Sequence, residues 1–143
     1  MSAISPYLIA LIAALLAAHI IKYIVALLHS TAEDFWHQLF TSGGMPSSHA
    51  ATTLSVTTMI ALRDGISSGL FGLAAVLVLI VCYDAVKVRR SSGEQGEAIK
   101  QLIKETGSTV RIPRAAKGHT PVEVAVGVLL GVVIGYVVYI ATI

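Results

Sequence analysis

Two histidines and a few cations stand out in a chain that is otherwise apolar. His119 is followed four residues later by Glu123, and His49 closes the run Pro46-Ser47-Ser48-His49. Residues four apart share one face of a helix. A carboxylate at 123 can therefore hold the His119 imidazole through Nδ1–H and leave Nε2 free. An imidazole titrates near neutral pH and can serve as nucleophile or as general acid. Lys22, Arg89 and Arg90 add positive charge, and an arginine fork matches the oxygens of a phosphate. Ser47-Ser48 and Thr120-Pro121 each precede an apolar run, so two helix amino termini with unpaired N–H groups join the set. The chemistry that suits these residue types is binding and transfer of phosphate.

The elements that must position them follow from hydropathy. Of 143 residues, 55% are hydrophobic and 13% charged, about half the charged fraction of roughly 25% usual in soluble domains. Such a chain is neither disordered nor an ordinary soluble globule. A net charge of +2 is too small for a nucleic-acid binder, and the lone Cys82 excludes an internal disulfide. The predicted fold is all-α: a single membrane-embedded domain over 1–143, with about four transmembrane helices and short interfacial helices. The spans are expected at about 4–28, 47–62, 69–88 and 121–143, each measured against a hydrocarbon core of about 30 Å. The second is short and carries seven Ser or Thr residues, which predicts a place inside the bundle with hydroxyls bonding across helices. Phe35, Trp36 and Phe40 within 30–45 suggest an interfacial helix. The stretch 89–118 reads as a polar loop, with a surface helix within 94–105.

Four spans place nine of the ten lysines and arginines on one side of the membrane and leave Arg63 alone on the other. The positive-inside bias makes the nine-cation side cytoplasmic. The expected location is the inner (plasma) membrane, multi-pass, with the site facing the cytoplasm. Lys22, His49, Asp84, Arg89, Arg90, His119 and Glu123 all fall at that depth, where ionisable groups are costly and mark function.

These residues also match a family. Pro46-Ser47-Ser48-His49 and His119-Thr120-Pro121-Val122-Glu123-Val124 resemble the second and third motifs of the type 2 phosphatidic acid phosphatase superfamily, which includes lipid phosphatases and vanadium haloperoxidases. The runs 42–50, 83–95 and 118–127, with Lys22 in the first span, are similar to its divergent branch along nearly the whole chain. The resemblance implies a phosphatase-like domain in which His119 is the nucleophile of a phosphohistidine, oriented by Glu123. His49 protonates the leaving alcohol. Ser47 is the phosphate-binding serine, helped by nearby backbone N–H groups, and Lys22 supplies the first-motif lysine; the adjacent Ser48 is a further candidate for phosphate binding. No metal and no cofactor are implied. The chain departs from the superfamily pattern where an arginine would follow Lys22, where Ser48 replaces a glycine, and where Pro113 stands at a third-motif arginine position. Arg89 and Arg90 are the expected replacements, with Asp84 available to orient one of them and Arg114 nearby in sequence.

The activity this implies is hydrolysis of a phospholipid phosphomonoester, of phosphatidylglycerol phosphate or phosphatidic acid type. The competing readings are a lipid-binding or transport protein that keeps the anion site without turnover, and a metal-dependent enzyme using Asp84, Glu94, Glu97, Glu123 and histidines. Thr120-Pro121-Val122-Glu123 also fits a helix capping box, a structural role for the same carboxylate. Gly127, Gly131 and Gly135 form a small-residue stripe that lets helices approach closely. The stripe can seat a neighbouring helix of the same chain, a second copy or a lipid chain; a homodimer through it is expected, since four spans offer few walls for a site.

Overall fold

A computed structural model describes residues 4–28, 44–112 and 118–143. Every element in these residues is helical: α1 (Pro6–Leu28), α2 (Ser48–Arg63), α3 (Gly69–Tyr83), a π-helical turn (Asp84–Val88), α4 (Arg89–Thr106) and α5 (Pro121–Ala141). The all-α membrane bundle expected from hydropathy is what the chain forms. The expected interfacial helix around Trp36, and Arg114, lie outside the described residues.

The boundaries are set by local chemistry. Ser47, Ser68 and Thr120 cap α2, α3 and α5, their hydroxyls accepting from the N–H of Ala50, Phe71 and Glu123. Pro121 sits at the start of α5, where a missing N–H costs nothing. α4 stops at Gly107, whose φ of +63° is a left-handed C-cap. The stretch 89–118 is less of a loop than its polarity suggests. It continues α3 through the π turn as unbroken helix to Thr106.

Among the described residues three helices are long and apolar enough to cross a membrane: Pro6–Leu28, Gly69–Thr106 and Pro121–Ala141. α2 has only 16 residues but runs between the same two levels. Its start bonds to α5, Ser47 N–H donating to the Glu123 carbonyl at 3.1 Å. Its far end meets the first turn of α1, where Tyr7 O–H donates to Asp64 at 2.6 Å. α2 packs against α5, α1 and α3 and is the centre of the bundle.

Small residues make that closeness possible. Gly127, Gly131 and Gly135 face the carbonyls of Ser47, Ala51 and Ser55, and a Cβ at any of them would lie 2.4–2.5 Å from carbonyl oxygen. α2 and α5 therefore run parallel in contact no larger residue permits. The expectation that this stripe seats a second copy is corrected here: α2 of the same chain fills it. α1 offers a matching stripe at four-residue steps, burying Ala10, Ala14, Ala18, Lys22 and Ala26. Lys22 thus points into the packed face.

The hydroxyls of α2 behave differently from expectation. Ser55 bonds across to the Ala10 carbonyl at 3.1 Å. Thr52, Thr53 and Thr57 instead return their protons to carbonyls one turn back in their own helix. Close packing, more than interhelical hydrogen bonding, joins α2 to its neighbours.

Candidate active site

One end of the bundle gathers the start of α2, the π turn, the start of α5 and the inner part of α1. The backbone ties three of them together. Besides the Ser47–Glu123 bond, His119 N–H donates to the Ala85 carbonyl at 3.0 Å. A π turn directs its bonds to residues five apart, as Arg89 N–H to the Asp84 carbonyl does. Gly118 lies against the backbone of Arg90 so closely that a Cβ would be 2.3 Å from its nitrogen. A small core of Ala50, Ala85 and Val124 sits beneath.

On this frame His119 is buried, and its Nδ1 lies 3.3 Å from the Glu123 carboxylate. The same Oε2 accepts the Thr120 N–H at 2.8 Å, while Thr120 Oγ1 accepts the Glu123 N–H at 3.3 Å. Glu123 therefore closes the capping box and holds the imidazole at once. With Nδ1–H donated to the carboxylate, Nε2 carries the free lone pair. Burial pushes the His119 pKa below the usual imidazole range, and the Glu123 hydrogen bond and charge oppose that shift without cancelling it. The ring is neutral at pH 7, the form able to attack an electrophile.

Lys22 is 8% exposed. Its ammonium has no hydrogen-bond or ion-pair partner among the described residues, although the charge of Glu123 reaches it. Gly44, at φ +83°, lies over the aliphatic stem of the lysine, where a Cβ would stand 3.8 Å away. Ser47 is fully buried, its oxygen accepting from Ala50 N–H and its own proton unassigned to any described acceptor. Ser48 is buried as well, with no hydrogen bond from its hydroxyl among the described residues. His49 opens α2, more exposed, within reach of the charges of Arg89, His119, Lys22 and Asp84.

The arginines separate. Arg89 is held through Nε by the Asp84 carboxylate, and its charge reaches both imidazoles. Arg90 turns along α4 to Glu94 at 3.1 Å, on the exposed face. The structure thus brings Lys22, Ser47, Ser48, His49, Asp84, Arg89, His119 and Glu123 to one end and leaves Arg90 on the surface. The carboxylates of the metal reading disperse, since Glu94 and Glu97 pair with Arg90 and Lys100 along α4. Among the described residues no three His, Cys, Asp or Glu side chains gather as metal ligands. Sequence reasoning missed Gly44 and the π turn. Positive φ at glycine has a signal in Gly43-Gly44, but composition does not reveal a π turn.

The chain is 34% identical to "Uncharacterized membrane protein YuiD" of Bacillus subtilis (strain 168), over 89% of each chain. No solved structure matches it. The model of the Divergent PAP2 family matches residues 4–134, which takes in every residue of the cluster, and the chain is a member of that family.

Proposed function

We propose that this protein is a membrane lipid phosphatase that hydrolyses a phosphomonoester of phosphatidic acid or phosphatidylglycerol phosphate type. The observation that carries the reading is Lys22, a buried cation with no partner among the described residues, set beside two histidines and two helix starts. An unpartnered buried charge is costly, and an anion at this position would satisfy it together with the free donors of Ser47 and Ser48.

The phosphate sits between the starts of α2 and α5, with the lipid tails in the bilayer. Lys22, Arg89 and the hydroxyls stabilise charge on the equatorial oxygens in the transition state. His119 Nε2 attacks phosphorus, the bond to the lipid oxygen breaks, and His49 gives that oxygen a proton. Water then attacks the phosphohistidine, passes a proton to His49 and releases inorganic phosphate, which restores both rings. The reading needs no cofactor. The four-span expectation that puts nine of ten basic residues on this side supports a site facing the cytoplasm.

Purified protein in detergent is expected to release phosphate from phosphatidic acid in the presence of EDTA. His119→Ala should lower that release by roughly 10³-fold or more, the scale of losing a nucleophile. Full activity in that variant would remove the mechanism. A second reading, anion and lipid binding without turnover, is favoured by the ion pair that already occupies Arg89. Phosphatidic acid binding with no phosphate release from either lipid would select it.

A further inference from the structure

We propose that the cleft between α1 and α3, along one face of α2, holds a single hydrocarbon chain of the lipid whose phosphate occupies the Lys22–His119 cluster. This rests on the anion site proposed above and adds where the apolar part of the ligand lies.

α2 has two faces with opposite fates. Ser47, Ala51 and Ser55 press on the glycines of α5. The stripe His49, Thr52, Thr53, Val56, Thr57 and Ile60 follows the i, i+3, i+4 spacing of a single helix face. From Thr52 to Ile60 that stripe lines a cavity of about 270 Å³, walled by Leu11 of α1 and Leu73 and Leu77 of α3. The threonine protons are turned back to α2 carbonyls, so the lining is apolar despite its composition. α1 and α3 pack extensively on α2 and at most marginally on one another, and the cleft opens to the bilayer between them.

Size and position select the occupant. The cleft runs for eight residues of helical rise, ~12 Å, and its volume of about 270 Å³ accommodates one extended hydrocarbon chain lying along α2. The head of the stripe is His49, the group proposed to protonate the leaving oxygen. A chain in the cleft therefore belongs to the leaving alcohol. This orients the ligand with its phosphate toward His119 and its lipid moiety descending past His49.

The test uses the full chain in nanodiscs containing a small fraction of phosphatidic acid with a mid-chain diazirine. Photolabelling read by mass spectrometry is expected on Val56, Leu73 and Leu77 above other lipid-facing positions, and diazirine-bearing diacylglycerol should label them less. Val56→Trp and Ala74→Trp each fill the cleft and should lower that labelling by at least about tenfold, the worth of one or two buried methylene groups. Ala74 is half-buried and outside the core, so its variant remains informative if Val56→Trp does not fold. Labelling spread evenly over the lipid-facing surface, or unchanged in a folded tryptophan variant, would overturn the groove. So would protection of the cleft in a species that sediments as a dimer. Groove labelling without phosphate release would keep the groove and remove the phosphatase reading. Phosphate release with even labelling would do the reverse.

Discussion

The two ends of the bundle treat polar side chains in opposite ways. At the Asp64 end, groups from different helices find each other. Tyr7 donates to Asp64 at 2.6 Å, and Arg63 reaches the Thr142 carbonyl at 3.3 Å. Both contacts are exposed to solvent or headgroups and stitch α1, α2 and α5 together over a plug of Ala10, Met59 and Val138. At the His119 end the stitching is done by backbone instead, through Ser47–Glu123 and His119–Ala85. Ser47, Thr120 and Glu123 still cap helix starts there, but Lys22 and Ser48 carry no such duty among the described residues. Lys22 and Ser48 are buried there without a described partner. An unsatisfied buried donor costs about 1–3 kcal/mol, and more when charged, so the end that looks better tied stores the larger penalty. The contrast teaches that polar residues in a membrane bundle have to be sorted by whether they are satisfied, since type and depth alone do not separate a clamp from a site.

Three substitutions sharpen or break that contrast. Lys22→Met has the largest expected effect. It should cut phosphate release by about 10²-fold, the scale of losing one transition-state donor, while the melting midpoint in detergent stays level or rises. A fall in both would make Lys22 a structural residue and erase the difference between the ends. Glu123→Gln acts next. The carboxylate raises the His119 pKa against the effect of burial, so its removal lowers that pKa further. The acid limb of the rate–pH profile should move to lower pH, with a reduced plateau from the weaker hold on the ring. An acid limb shifted upward would show that Glu123 does not face a titrating His119. The smallest effect belongs to the opposite end. Tyr7→Phe removes an exposed bond and should cost about 0.5 kcal/mol in stability, with phosphate release unchanged. Loss of turnover there would mean that the two ends are coupled.

Much of this was legible in the chain because it rests on short-range rules. The four-residue step from His119 to Glu123 places carboxylate beside imidazole, and Thr120-Pro121 announces both the cap and the helix start. Helix extents follow from apolar runs and their serine caps. What the sequence left open depends on which element lies opposite. The glycine stripe of α5 reads as an interface, but its partner is α2 of the same chain. Arg89 and Arg90 are adjacent and chemically alike, and only the phase of the helix turns one toward Asp84 and the other toward Glu94. The threonines of α2 carry no mark of whether their protons go to a neighbour or home.

That phase is fixed by the π turn at Asp84–Val88. A helix advances about 100° for each residue, and the wide turn absorbs one more residue than an α-helical turn would. Every side chain beyond it is rotated accordingly. The segment therefore acts as a protractor between the membrane and the surface helix. What it holds constant is the number of residues, more than their identity. Outside Asp84 and the buried Ala85, its tolerance for substitution and its intolerance of insertion or deletion should be sharply unequal, since losing a single position would swing the Arg89 guanidinium away from the histidines while leaving every apolar span intact.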